Sequence, residues 1–248
     1  MPRRGLSKNP DAPTGEWLDD FPGAPLSDEP PRQVFLDACA RIAAAMQEFG
    51  FKYAKDQQVC LREHHGFGNT IGFQSSRSNV RGLHVGLSIY ASVSSEVLRA
   101  WQEARLPTGP VTRYFAGGMV HLLGDQYAML QWELADPADR AATIADAISF
   151  IRETVIPYFA LFERPTALIR RLQDTEVPAF WLCPSVDFAH CFGDKQQAQQ
   201  VLDRFVRDHP QFDQPDELTR ERMASGKLSR AGNYSQQIAS LRLLYGLD

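Results

Sequence analysis

From Leu83 to Val93 the chain alternates: Leu83, Val85, Leu87 and Ile89 are aliphatic, while His84, Gly86, Ser88 and Tyr90 between them are polar, small or amphipathic. Successive side chains of an extended strand point to opposite faces, so this spacing predicts a strand with one dry face and one wet face. Such a strand fits an antiparallel sheet with helices packed on one side. Shorter stretches repeat the pattern. Phe51 and Tyr53 flank Lys52; Val59 and Leu61 alternate with Gln58, Cys60 and Arg62; Ile71 and Phe73 lie two apart in Asn69–Ser76. Val111–Phe115 and Tyr127–Leu134 are further strand candidates, with Gly66-Phe67-Gly68, Gly117-Gly118 and Gly124-Asp125 read as turns.

Helical spacing precedes and follows these strands. Phe35, Cys39, Ile42, Met46 and Phe49 recur every three or four residues up to Gly50, a residue suited to a helix C-terminus. A serine cap at Ser94 or Ser95 opens a short helix with Val97, Leu98 and Trp101. Asp136-Pro137-Ala138-Asp139 starts another that carries Ile144, Ile148, Ile151 and Val155, and Pro157 is expected to kink or end it. Asp187–Cys191, Lys195–Asp208, Glu217–Ala224 and Ser235–Tyr245 read as short helices separated by Gly193, Pro210, Pro215 and Gly226. The expected fold is therefore α+β: an antiparallel sheet of about five or six strands with helices on one face, plus a C-terminal helical extension. Three regions are expected: a proline-rich extended arm over 1–31, which holds seven of the 16 prolines, a sheet domain over 32–176 and a helical region over 177–248.

Composition narrows the functional class. With 44% hydrophobic and 23% charged residues, the chain is neither collagen-like, coiled-coil nor wholly disordered. A net charge of −4 gives no overall basic footprint for nucleic acid. No apolar stretch long enough for a secretion signal follows Met1-Pro2-Arg3-Arg4, and no purely apolar run exceeds five residues, far short of the ~20 that cross a bilayer. A cytoplasmic protein without a membrane segment is expected, with Cys39, Cys60, Cys183 and Cys191 as reduced thiols.

Several constellations invite a chemical reading. Cys60, His64 and His65 suggest a metal site, but on one strand Cys60 and His64 lie about 13 Å apart and His65 points the other way. An ion there would need a bulge and a third ligand such as His84, so no metal is expected. Asp187, His190 and Cys191 stand at i, i+3 and i+4 of a helix and resemble a nucleophilic set; a packed helix C-terminus explains the same residues. The glycine-rich stretches lack the lysine and hydroxyl of a phosphate loop, and no Gly-x-Ser-x-Gly elbow is present. No cofactor and no catalytic residue is assigned.

The polar face of the sheet is the better candidate. Strand alternation gathers Arg62, His64, Thr70, Gln74, His84, Ser88 and Tyr90 there, joined by Gln131. Residues 52–113 carry eight Lys/Arg against four Asp/Glu, and 118–176 five against nine, an asymmetry that steers anionic groups toward the first half of the sheet. Four strands make a patch of only ~330 Å² in plan, whereas a stable protein interface needs ~800 Å² per partner. Binding a protein would therefore enlist Ser75–Gly82, Leu106–Pro110 or the arm.

Four runs carry a family likeness: Met46-Gln47-Glu48-Phe49-Gly50-Phe51-Lys52, Ile71-Gly72-Phe73-Gln74-Ser75-Ser76, Leu83-His84-Val85-Gly86-Leu87-Ser88-Ile89 and Pro157-Tyr158-Phe159. Over roughly residues 34–175 the chain resembles the bacterial domain of unknown function 4304 family. That resemblance implies an α+β fold, supplies no catalytic residues, and hints at immunity-type binding because some relatives sit beside toxin genes. The expected function is a non-enzymatic binding protein whose partner is a protein such as a toxin. The alternatives are an enzyme acting on a small anionic substrate with His64 or His84 as general base, and an RNA-binding module using Tyr90, Phe67 and the arginines.

Overall fold

The computed structural model describes residues 29–105, 113–124, 130–227 and 229–248. Most of the proline-rich arm lies outside the described residues, as do parts of the strands expected over Val111–Phe115 and Tyr127–Leu134. The fold is α+β, an antiparallel six-stranded sheet with helices on one face and a C-terminal helical part. Among the described residues no helix is long and apolar enough to cross a membrane.

Helix α1 (Pro31–Met46) has proline in its first turn and continues as a 3-10 turn to Phe49; Gly50, at φ 81°, then reverses the chain. Its buried stripe of Val34, Phe35, Ala38, Cys39, Ile42, Ala43 and Met46 lies in the core. Strands β1 (Lys52–Ala54), β2 (Val59–His64), β3 (Phe67–Ser75) and β4 (Gly86–Ser94) follow, each antiparallel to the one before. Strand β5 (Tyr114–Met119) pairs with β4, and the short β6 (Trp132–Glu133) pairs with the start of the same strand. Leu87, Ile89, Ala91 and Val93 of β4 are all fully buried, as the alternation requires. The strand begins at Gly86 rather than Leu83. The amide of Val85 is taken by Glu133 Oε1 and that of Gly86 by Asn79 Oδ1, so side chains replace the ladder there.

Two glycine readings change. Phe67 and Gly68 belong to β3 rather than to a turn, and Gly117-Gly118 lies inside β5. At Gly117 φ is +114° and an added Cβ would sit 2.1 Å from the Ala91 carbonyl oxygen, so glycine lets β5 close against β4.

Helix α2 (Glu96–Glu103) is capped by Ser95, whose hydroxyl accepts from the Leu98 amide. Helix α3 (Arg140–Phe150) runs through a π-helical turn at Ile151–Val155 into α4 (Ile156–Phe162). Pro157 therefore does not end the helix. In the widened turn the Ile156 amide bonds Ile151 O, which relieves the clash a proline makes with an ordinary helical turn. Helix α5 (Pro165–Asp174), which the periodicity reading passed over, starts with proline and buries Leu168, Ile169 and Leu172. Helices α6 (Leu182–Phe192), α7 (Lys195–Asp208), α8 (Glu217–Ala224) and α9 (Tyr234–Tyr245) complete the chain. One buried apolar cluster extends from Val34 to Leu247, so the C-terminal helices share the core of the sheet.

Asp187 on α6 has no exposure and is surrounded by donors. Gln102 Nε2 at 2.6 Å, Tyr245 Oη at 2.6 Å and the Arg230 guanidinium all donate to its carboxylate. These partners come from α2, α9 and the segment before α9, so one ion pair fixes three parts of the chain to α6. Removing one member of a buried pair strands the other charge. Asp187→Ala is expected to lower stability by about 3–5 kcal/mol, read as a shift in urea unfolding at neutral pH; a change under about 1 kcal/mol would contradict this role.

Candidate functional site

Directly opposed residues of an antiparallel pair share a face. Ile71 opposes Ala91 and Phe73 opposes Ile89, which defines the helix side. The outer side then carries Thr70, Gly72 and Gln74 of β3, with Ser88, Tyr90, Ser92 and Ser94 of β4. Gln74, Ser88 and Tyr90 thus lie on the outer face as expected. Lys52, Leu61 and Glu63 extend it at one side, and Tyr114 and Met119 at the other.

Arg62 and His64 do not join them. Arg62 opposes Asn69 and His64 opposes Phe67, which places both on the helix side at the end of β2. The phase is reversed because Cys60, read as a wet position, is the buried one: it is fully enclosed, and burial pushes its thiol up to about 12. Arg62 can face inward because four hydrogen bonds engage its guanidinium. It donates to Asn69 Oδ1 at 2.7 and 3.1 Å, to Phe49 O at 3.3 Å and to Glu163 Oε1 at 3.3 Å, and it sits 5.0 Å above the Phe51 ring.

At the centre of the outer face Tyr90 lies over Gly72. A Cβ at Gly72 would fall 1.9 Å from Tyr90 Cζ, so glycine makes room for the ring. Thr70, Ser88 and Ser92, the small residues around it, are buried; Gln74, Lys52 and Tyr114 are exposed. Burial, with Tyr114 nearby, pushes the Tyr90 hydroxyl up, leaving it a neutral hydrogen-bonding group at neutral pH. The RNA reading loses one member, because Phe67 is 3% exposed among Phe115, Phe162, Phe188 and Phe192 and offers no stacking platform.

His84 stands at the end of this face, outside the ladder, in a bridge with Val80. Its Nδ1 bonds Glu133 Oε2 and its Nε2 lies 3.3 Å from Ser76 Oγ. Glu133 Oε1 also accepts from the amides of Val85 at 2.7 Å and Ala135 at 2.9 Å. Ser76 Oγ lies 2.9 Å from Ser78 Oγ and accepts from the Ser78 amide at 3.2 Å. Gln131 is exposed beside Gly86, where an added Cβ would fall 2.2 Å from its Nε2. The structure therefore brings Gln131, His84 and the unanticipated Ser76 and Glu133 to one end of the sheet. Glu133 was legible only as a charged residue in a strand.

A second group forms at the opposite end of β3. His65 and Gly66 are the two residues of the β2–β3 hairpin turn, with φ of 49° and 80°. Being in a turn, His65 does not follow strand alternation, and its ring lies 4.2 Å from that of His64. Glu163, just after α4, comes within 3.5 Å of His64 Nε2. The third member is thus Glu163 rather than His84 or Cys60.

The Asp187–His190–Cys191 set is structural. Both oxygens of Asp187 are engaged in the buried network. His190 packs between Trp101 and Tyr245, at ring distances of 5.1 and 5.0 Å, and burial and Arg105 lower its pKa. Burial pushes the Cys191 thiol up to about 11, away from the thiolate a nucleophile needs.

Burial raises the pKa of Glu133, but the amides of Val85 and Ala135 and the His84 ring outweigh it, so the folded value lies below the ordinary 4.5. A carboxylate with a depressed folded pKa adds stability above its unfolded pKa and loses it as pH falls through the folded value. Glu133→Ala is expected to cost about 1 kcal/mol at pH 7, given its partial exposure. The gap to the parent chain should narrow in urea titrations as the pH falls from the ordinary 4.5 through the lower folded value, and a gap that widens on acidification would refute the assignment. Comparison with protein-family models, with curated proteins and with solved structures finds no match to this chain.

Proposed function

We propose that this chain is a binding protein whose outer sheet face docks an acidic surface of a protein partner. The observation that carries the reading is a sheet face that, among the described residues, centres on half-buried Tyr90 and bears exposed Lys52, Glu63, Gln74 and Tyr114. Strands of 3, 6, 9, 9 and 6 residues give roughly 500 Å² in plan at about 4.8 Å spacing. With the loop that carries Arg77 and Arg81 this approaches the ~800 Å² that a partner buries. Exposed Lys52 on the face and exposed Arg77 and Arg81 in the loop, against the exposed acid Glu63, favour an acidic counterpart. An immunity-type role, with a toxin as the partner, is the finer form of this proposal; it rests on the sequence resemblance of residues 34–175 to the domain of unknown function 4304 family alone, since no family model matches the chain. Calorimetry with the product of the adjacent gene tests this. Micromolar or tighter binding that weakens at least about tenfold in Tyr90→Ala and Lys52→Glu is expected; no binding, or binding indifferent to both changes, overturns it.

A second reading rests on the hydrogen-bonded chain Ser76–His84–Glu133, the order in which a serine, its base and an orienting carboxylate act in acyl transfer. His84 would take the Ser76 hydroxyl proton as Oγ attacks an ester carbonyl, then deliver it to the leaving alkoxide; water would repeat the steps to release the acid. A fluorophosphonate probe is expected to label Ser76, and to fail in His84→Ala. A folded chain left unlabelled at Ser76 discards the reading.

A further inference from the structure

We propose that His64, His65 and Glu163 bind one transition-metal ion of the zinc class. Their ligand atoms all lie within 4.8 Å of one another, and among the described residues no other three His, Cys, Asp or Glu side chains meet this way. Around a tetrahedral ion, ligands at about 2.0–2.2 Å stand roughly 3.3–3.5 Å apart. The groups therefore need to close by up to about 1.5 Å, and both histidines are exposed at the surface.

The local backbone holds the set together. A two-residue hairpin turn with positive φ at both positions favours Asn-Gly or Asp-Gly. Here the first position is His65, and the left-handed backbone carries its ring to that of His64. Glu163 is oriented by Arg62, itself fixed to Asn69 and Phe49, in the manner of an outer partner that aims a ligating carboxylate. The ligand chemistry selects the ion. Two imidazoles with one carboxylate suit Zn²⁺, Co²⁺ or Ni²⁺, while Mg²⁺ and Ca²⁺ need several carboxylate or carbonyl oxygens. Three protein ligands leave a fourth position for water or for a group supplied by a partner.

The test is titration of the full chain, freed of metal by chelation and desalting, with ZnCl₂ by calorimetry and CoCl₂ by visible absorption. One ion per chain is expected, with the strong absorption of four-coordinate cobalt and no saturable heat from MgCl₂ or CaCl₂. Glu163→Gln and His65→Asn, the latter compatible with the left-handed turn, should each weaken binding at least about tenfold. His209→Ala, a surface histidine paired with Glu176, and Cys191→Ser should bind as the parent does. No saturable binding below about 100 µM, or unchanged affinity in His65→Asn, overturns the site, as does loss in either control. His65 is exposed in a turn, so its variant decides the matter even if Glu163→Gln unfolds the Arg62 contact.

Discussion

A charged carboxylate without exposure has to be neutralised where it stands. Asp187 meets that demand with Gln102, Arg230 and Tyr245, which are 85, 43 and 58 residues away in sequence. The constraint reaches beyond the ion pair. Tyr245, positioned by it, packs against Trp101 and His190, and α6 sends Phe188 into the ring cluster beneath β3 and β5. The helices that flatten one side of the sheet are therefore locked to each other by a polar contact inside an apolar core. The opposite side carries Tyr90 among buried Thr70, Ser88 and Ser92, with exposed Lys52, Gln74 and Tyr114 around them.

The sheet and most helices were readable because their periods are set by burial. In β4 the aliphatic positions Leu87, Ile89, Ala91 and Val93 are enclosed as the spacing requires, but Ser88 and Ser92 between them are buried as well and only Tyr90 is half-exposed, and the helices from Lys195 onward fall where glycine and proline bound them. The phase of β2 was not readable. Leu61 is the larger apolar residue and Arg62 the charged one, yet Arg62 faces the helices because Asn69, Phe49 and Glu163 satisfy its guanidinium and Phe51 takes its stem. These partners lie 7, 13 and 101 residues away, on a neighbouring strand, a helix end and a distant loop, and no alternation pattern within β2 contains them.

Backbone exceptions explain the remaining differences. Pro157 is absorbed by a π turn, and Gly117 serves close strand approach rather than reversal. His65 is the most consequential, since a positive φ removes it from the alternation that had sent it away from His64. In the same way Glu133 gains its place beside His84 from the pairing of β6 with the first residues of β4, a contact between segments 48 residues apart. The candidate sites thus depend on long-range pairings and turn conformations, while the frame that carries them depends on local spacing.

Strand β1 has only three residues, and Lys52 is exposed within it, with Lys55 exposed just beyond. A rim so short and so charged gives a foreign strand little to zip onto. Self-association by sheet extension is disfavoured at that rim, where a growing fibril or a strand-swapped pair finds only three residues to template it.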